Sequence, residues 1–233
     1  FDIDLESYDS QPSSYSTLNS LNSQGGTSSC SDGNLKVTTT AGNDNYGIMT
    51  QVPMHTGKYY AEFKSSSWNG ASMVGVVFEP YCTKFPTKPC WPGKDSASNN
   101  QFSGYGYESK TPRIYMHGSN ADNHSQPTHG GGSTIDGSVV MAAVDCDTGR
   151  CAFGIDGRWN SGTVEQSMSQ FGERDSEDTT SYYTARRPYY FAFGDSSGSS
   201  AVNIDVNFGQ KPFKFEPPEG YKPVNMASQD KNK

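Results

Sequence analysis

The sequence predicts an all-β protein, a sandwich or barrel of antiparallel strands. Three observations predict it. Helix formers are scarce, with 4 Leu against 32 Ser, 17 Thr and 25 Gly in 233 residues, a composition that suits strands and turns. Short apolar runs recur between clusters of Gly, Pro, Asn, Asp and Ser, and no helical period is sustained over about 12 residues. The stretch 201–208 alternates strictly: Val202, Ile204, Val206 and Phe208 lie on one face, with Asn203, Asp205 and Asn207 between them.

Taken in order, residues 1–31 are rich in Ser, Asn and Gln with scattered Tyr and Leu, and read as a loosely structured lead-in or arm. Strands are expected at 35–40, 47–52, 58–64, 73–78, 105–108, 113–117, 138–146, 151–155, 188–193 and 201–208. The stretch 138–157 reads as a hairpin. Val140, Ala142, Val144 and Cys146 share one face of the outgoing strand, and Cys151, Phe153 and Ile155 share one face of the return. An Asp147-Thr148-Gly149 turn joins them, and Asp156-Gly157 begins the next turn. Long irregular stretches at 79–103 and 118–137, and a polar one at 162–187, have lengths that in a compact domain mark function or disorder.

Composition excludes several classes. Leu, Ile, Val and Phe together are 34 of 233 residues, below the level of about 20% that accompanies disorder. The net charge is only −7, however, and aromatics reach 12%, which disordered chains lack. Large rings fill a core with few residues. The longest apolar runs, 73–78 and 139–144, fall far short of the ~20 residues of a membrane span, so no membrane insertion is expected. Acidic balance without a Lys/Arg cluster argues against nucleic acid. The chain opens at Phe1 without Met or a signal peptide, which suggests processing or numbering from inside a longer product.

Chemistry is sparse. Five cysteines occur, without a CxxC pair for a zinc ribbon. Cys146 and Cys151 meet near the hairpin turn, on one face and close to directly opposed; Cys82 and Cys90 enclose a loop with two prolines. Each pair reads as buried free thiols or as a disulfide. His117, His124 and His129, with Asp122 among them, lack the periodicity that aims metal ligands, so no metal is expected. Glu173, Asp175 and Glu177 have the E-x-D-x-E spacing of a glucanase strand. Arg and Ser intervene where a buried strand supplies apolar residues, so a solvated acidic loop fits better. No nucleophile elbow, GxGxxG or P-loop occurs, and no catalytic residue or cofactor is assigned. Tyr81, Phe85 and Trp91 in the Pro- and Cys-braced loop, with Tyr115 and Trp159 beside other loops, are surfaces for stacking on sugars or anchoring proteins.

Four segments together resemble the SPRY domain: GKYYAEF at 57–63, GYGYES at 104–109, VVMAAVDCDTGRCAFGIDGRW at 139–159, and VNIDVNFGQKPFKFEPPEGYKPVN at 202–225. The resemblance spans 32–225 and implies a bent sandwich of two antiparallel sheets, the concanavalin-like jelly roll, with 226–233 as a tail. It implies a binding scaffold without catalysis, with Gly57, Gly149, Gly157 and Gly209 as turn glycines. SDGNLKVTT at 31–39, RWNSG at 158–162 and the segment 205–225 are most similar to SPRY-type modules of phage virion and tail-fibre proteins. That likeness implies a virion protein used in capsid decoration, assembly or host attachment. Its partners would be other virion proteins, a host-surface glycan or protein, or further copies of the chain. The alternatives are a carbohydrate-binding or glycoside-hydrolysing sandwich and a cellular SPRY-type peptide-binding adaptor. Binding of a host glycan or a neighbouring virion subunit is expected through Tyr81, Trp91 and His117 at one end of the sandwich, because loops on a rigid sandwich vary without unfolding it.

Overall fold

The computed structural model describes residues 14–22, 24–25, 28–40, 46–68, 72–78, 92, 104–109, 113–116, 119–120, 135–159, 162–170, 188–195 and 200–226. Its strands are β1 (Gln24–Gly25), β2 (Ser28–Ser31), β3 (Lys36–Thr39), β4 (Tyr46–Met49), β5 (Lys58–Ser65), β6 (Ser72–Phe78), β7 (Gly104–Glu108) and β8 (Arg113–Met116). They continue as β9 (Ser119–Asn120), β10 (Val139–Asp145), β11 (Arg150–Ile155), β12 (Arg158–Trp159), β13 (Ser169–Gln170), β14 (Tyr189–Asp195), β15 (Asn203–Asn207) and β16 (Tyr221–Lys222). All ten strands expected from the sequence are present, and the added ones are short. Among the described residues the only helix is a single 3-10 turn, Ser20–Asn22.

The strands form two sheets. One has seven strands in the order β1-β4-β14-β6-β7-β8-β9. The other has nine, β12-β11-β10-β5-β15-β3-β2, with β13 added to β11 and β16 added parallel to β5. Every other pairing is antiparallel, as expected of strands joined by local turns. The sheets pack face to face over one core. Phe63 of β5 and Phe191 of β14 meet edge to face at 6.4 Å, Phe208 stacks on Phe191 at 6.3 Å, and all three are fully buried. At one end of the sandwich a polar contact joins the sheets. The Thr39 hydroxyl donates to Asp195 Oδ2 at 2.7 Å and accepts the Val202 N–H at 3.0 Å.

The alternation expected of a half-buried strand fails in β5 and β10 for a physical reason: both faces are covered. Val140, Ala142 and Val144 point into the inter-sheet core. Val139, Met141 and Ala143 point outward, yet they are buried with Tyr60, Ala152, Val164 and Tyr221 beneath Trp159, Met168, Phe213 and Phe215. The run 139–144 is therefore apolar throughout. Glu62 shares this outward face of β5 and is 5% exposed. It accepts the backbone N–H groups of Lys214 at 2.9 Å and Phe215 at 2.8 Å, and the Tyr60 hydroxyl at 3.1 Å.

The 138–157 hairpin has the expected strands, with Val140 opposite Ile155 and Ala142 opposite Phe153. The cysteine geometry differs from expectation. Cys151 stands opposite Val144, while Cys146 lies one residue beyond β10 in the turn. Both line the inter-sheet core, and both are free thiols. The turn is held by Asp145 Oδ1, which accepts the N–H groups of Asp147 and Thr148 at 3.0 and 3.2 Å. Gly57, Gly149, Gly157 and Gly209 all have positive φ, from 68° to 114°. At Asp156-Gly157 the two positive φ values, 47° and 82°, make the two-residue turn that matches strand twist.

The lead-in contributes to the sandwich. Leu18 is fully buried and bridges Thr50, Tyr15 bridges Asn225, and β2 pairs with β3.

Candidate binding site

Strand ends determine where the connections can act. In the seven-stranded sheet Phe78 pairs with Tyr189, Val77 with Gly104, and Tyr105 with Met116. The end of β6, the start of β7, the end of β8 and the start of β14 therefore lie together at one end of this sheet. Connections 79–103, 117–118 and 171–187 open from these strand ends. At the opposite end, Asp195 pairs with Ser72, Met73 with Glu108, and Glu108 with Arg113. There the links 69–71 and 110–112 are short. The stretch 121–134 rejoins the sandwich at Ile135, away from the first end. Ile135 is followed by Asp136, whose side chain accepts the Trp68 backbone N–H, and by Gly137, whose N–H donates to the Ser65 carbonyl at 2.7 Å.

Tyr81, Cys82, Cys90, Trp91 and His117 lie outside the described residues, as do Asp122, His124, His129, Glu173, Asp175 and Glu177. The chain positions that lead to Tyr81 and His117, Phe78 and Met116, are at the same sheet end. Tyr115 sits on β8, opposite Gly106 on one side and Asn120 on the other. Trp159 is on the other sheet, half-buried and edge-on to Tyr60 at 6.4 Å, where it packs the outer layer.

Within 79–103, Pro92 is described, and it is buried. It rests on a pair of glycines that the sequence reading passed over. Gly75 of β6 and Gly106 of β7 are register partners, with Ala192 of β14 next in the row. Their chain neighbours Val74, Val76, Tyr105 and Tyr107 point into the inter-sheet core, so both glycines face outward. A Cβ on Gly75 would run into the Pro92 ring and the Tyr105 carbonyl. One on Gly106 would meet the Pro92 carbonyl and, at 2.8 Å, the Met73 methyl. The available signal was a glycine inside each of two apolar strands, which marks close approach of another backbone.

Two buried carboxylates serve structure: Glu62 holds the 214–215 backbone and Asp195 accepts from Thr39. The exposed Asp156 accepts the Val139 N–H at 2.9 Å. Among the described residues no group of three or more His, Cys, Asp and Glu could hold a metal ion. Among them, too, no helix is long and apolar enough to cross a membrane.

No protein-family model matches the sequence, and no curated protein matches it. Solved structures do match the architecture. The SPRY domain of human HERC1 aligns with a TM-score of 0.51 at 14% identity, covering 84% of this chain and 99% of that one. The PSpry domain of TRIM65 aligns with a TM-score of 0.53 at 10% identity, covering 83% and 90%. The chain has a SPRY-type fold. At such low identity the likeness concerns the path of the backbone. The strand register places the long connections 79–103 and 171–187 at one sheet end, while Pro92 is seated at mid-strand on the outer face of β6 and β7.

Proposed function

We propose that the chain is a non-enzymatic binding module that recognises a peptide or protein surface through the loop end of its seven-stranded sheet. The observation that carries this reading is the register gathering the openings of 79–103, 117–118 and 171–187 at one end. Loops there can change while the two-sheet core bears the stability. The SPRY-type fold favours a binding scaffold over an enzyme, although function on a shared fold is decided by the site. Tyr81, Trp91 and His117 are the residues proposed to make contact, aromatic rings being effective anchors.

The virion setting is a proposal that rests on the sequence motifs at 31–39, 158–162 and 205–225. The solved structures similar to the chain favour the peptide-binding adaptor reading at least as well. Partner class is tested by presenting the purified chain to a displayed random-peptide library and to an array of glycans. Selection of convergent peptides supports the proposal. Glycan binding without peptide selection would replace it with the carbohydrate reading.

A further inference from the structure

We propose that Pro92 is a positioning residue: seated on the paired glycines Gly75 and Gly106, it pins the connection between β6 and β7 to the outer face of the seven-stranded sheet. Its use in recognition rests on the proposed function, but its geometry does not.

Glycine in a strand interior is destabilising relative to alanine, because it loses more backbone freedom on folding and packs no side chain. Here two stand side by side on adjacent strands. Neither has the positive φ found at Gly57, Gly149 or Gly157, so backbone freedom does not account for them. Close approach does. The Pro92 ring occupies the space a Gly75 side chain would need, and the Pro92 carbonyl occupies the space above Gly106. Met73, 1% exposed, closes against the same spot. Proline suits this seat because it has no N–H to leave unpaired when pressed onto a sheet face.

The two glycines are not equivalent as probes. A methyl at Gly75 would strike the Tyr105 carbonyl and strain the sheet itself. At Gly106 the nearest atoms are those of Pro92 and the flexible end of Met73. Gly106→Ala therefore pushes on the connection and spares the sandwich.

The test is limited trypsin digestion of the whole chain, with cut sites read by mass spectrometry. Lys94 lies two residues beyond Pro92, and Lys64 lies in β5, where cleavage needs the sandwich to open. Proteolysis reports the population of the locally open form when opening is fast. Gly106→Ala and Pro92→Ala are each expected to speed cleavage after Lys94 by about tenfold relative to cleavage after Lys64. Unchanged Lys94 cleavage in both variants would overturn the proposal. If Gly106→Ala unfolds the domain, cleavage after Lys64 rises as well, and Pro92→Ala decides alone. Affinity for a library-selected peptide is measured on the same variants. Release at Lys94 with affinity unchanged would leave the pin standing and remove its role in the binding end.

Discussion

The Glu62 carboxylate accepts the Phe215 backbone N–H at 2.8 Å, fastening the C-terminal segment onto the outward face of β5. The same carboxylate holds Lys214 N–H and the Tyr60 hydroxyl. This bond makes an outer layer possible. Phe213 then packs edge-on against Tyr60 at 4.9 Å, and the apolar outward face of β10 stays covered.

Glu62→Ala should accordingly lower stability by about 2–3 kcal/mol, since it orphans two backbone donors and a hydroxyl in a buried place. Glu62→Gln, which keeps one acceptor oxygen, should cost less. Urea unfolding of the three proteins checks the order.

The two hairpin thiols should be inert in the native protein. Burial pushes both Cys146 and Cys151 well above the ordinary thiol value of 9.0, with Asp145 and Asp147 adding to the effect at Cys146. The thiolate is the reactive form. Iodoacetamide at neutral pH should label neither residue until the chain is unfolded. Peptide mapping should find no cross-link between them.

Stability should fall in alkali. Burial raises Tyr60, Tyr107 and Tyr221 above the ordinary value of 10.0, and at Tyr60 the charge and hydrogen bond of Glu62 act in the same direction. A group kept protonated in the folded chain but ionised in the unfolded one favours unfolding as pH rises. The contribution is intact below pH 9 and is lost progressively above it, first through the cysteines and then through the tyrosines. Thermal melts between pH 7 and pH 11 should show a falling Tm from about pH 9.

Much of the fold was legible because it is local. Strands such as 203–207 carry a period of two, and Gly57, Gly149, Gly157 and Gly209 marked turns that do need positive φ. Pairings that depend on distant segments were not legible. β13 and β16 are two residues each, too short for any period, and β16 reaches β5 across most of the chain. Leu18 and Leu21 stand in the same polar stretch, and nothing local marked Leu18 for full burial and Leu21 for exposure. The cysteine opposition failed by two residues: Val144 stands opposite Cys151, and Cys146 belongs to the turn rather than to the strand. Of the site, the glycines under Pro92 were visible only as strand interruptions. Their partner lies in another segment of sequence.

Core and surface should separate sharply in mutagenesis. Phe191, between Phe63 and Phe208, is fully buried, and Phe191→Ala should cost about 3–5 kcal/mol. Leu21 is 96% exposed, and Leu21→Ser should stay within about 0.5 kcal/mol. Equilibrium denaturation of both variants gives the comparison.

Recognition through the loop end of the seven-stranded sheet is tested by titrating a library-selected peptide into the wild type and into Tyr81→Ala, Trp91→Ala and His117→Ala, with Tm recorded for each. At least one substitution should weaken affinity by about tenfold or more, as loss of an anchoring side chain does, while every Tm stays near that of the wild type. Full affinity in all three variants, or loss of affinity only together with unfolding, would contradict it.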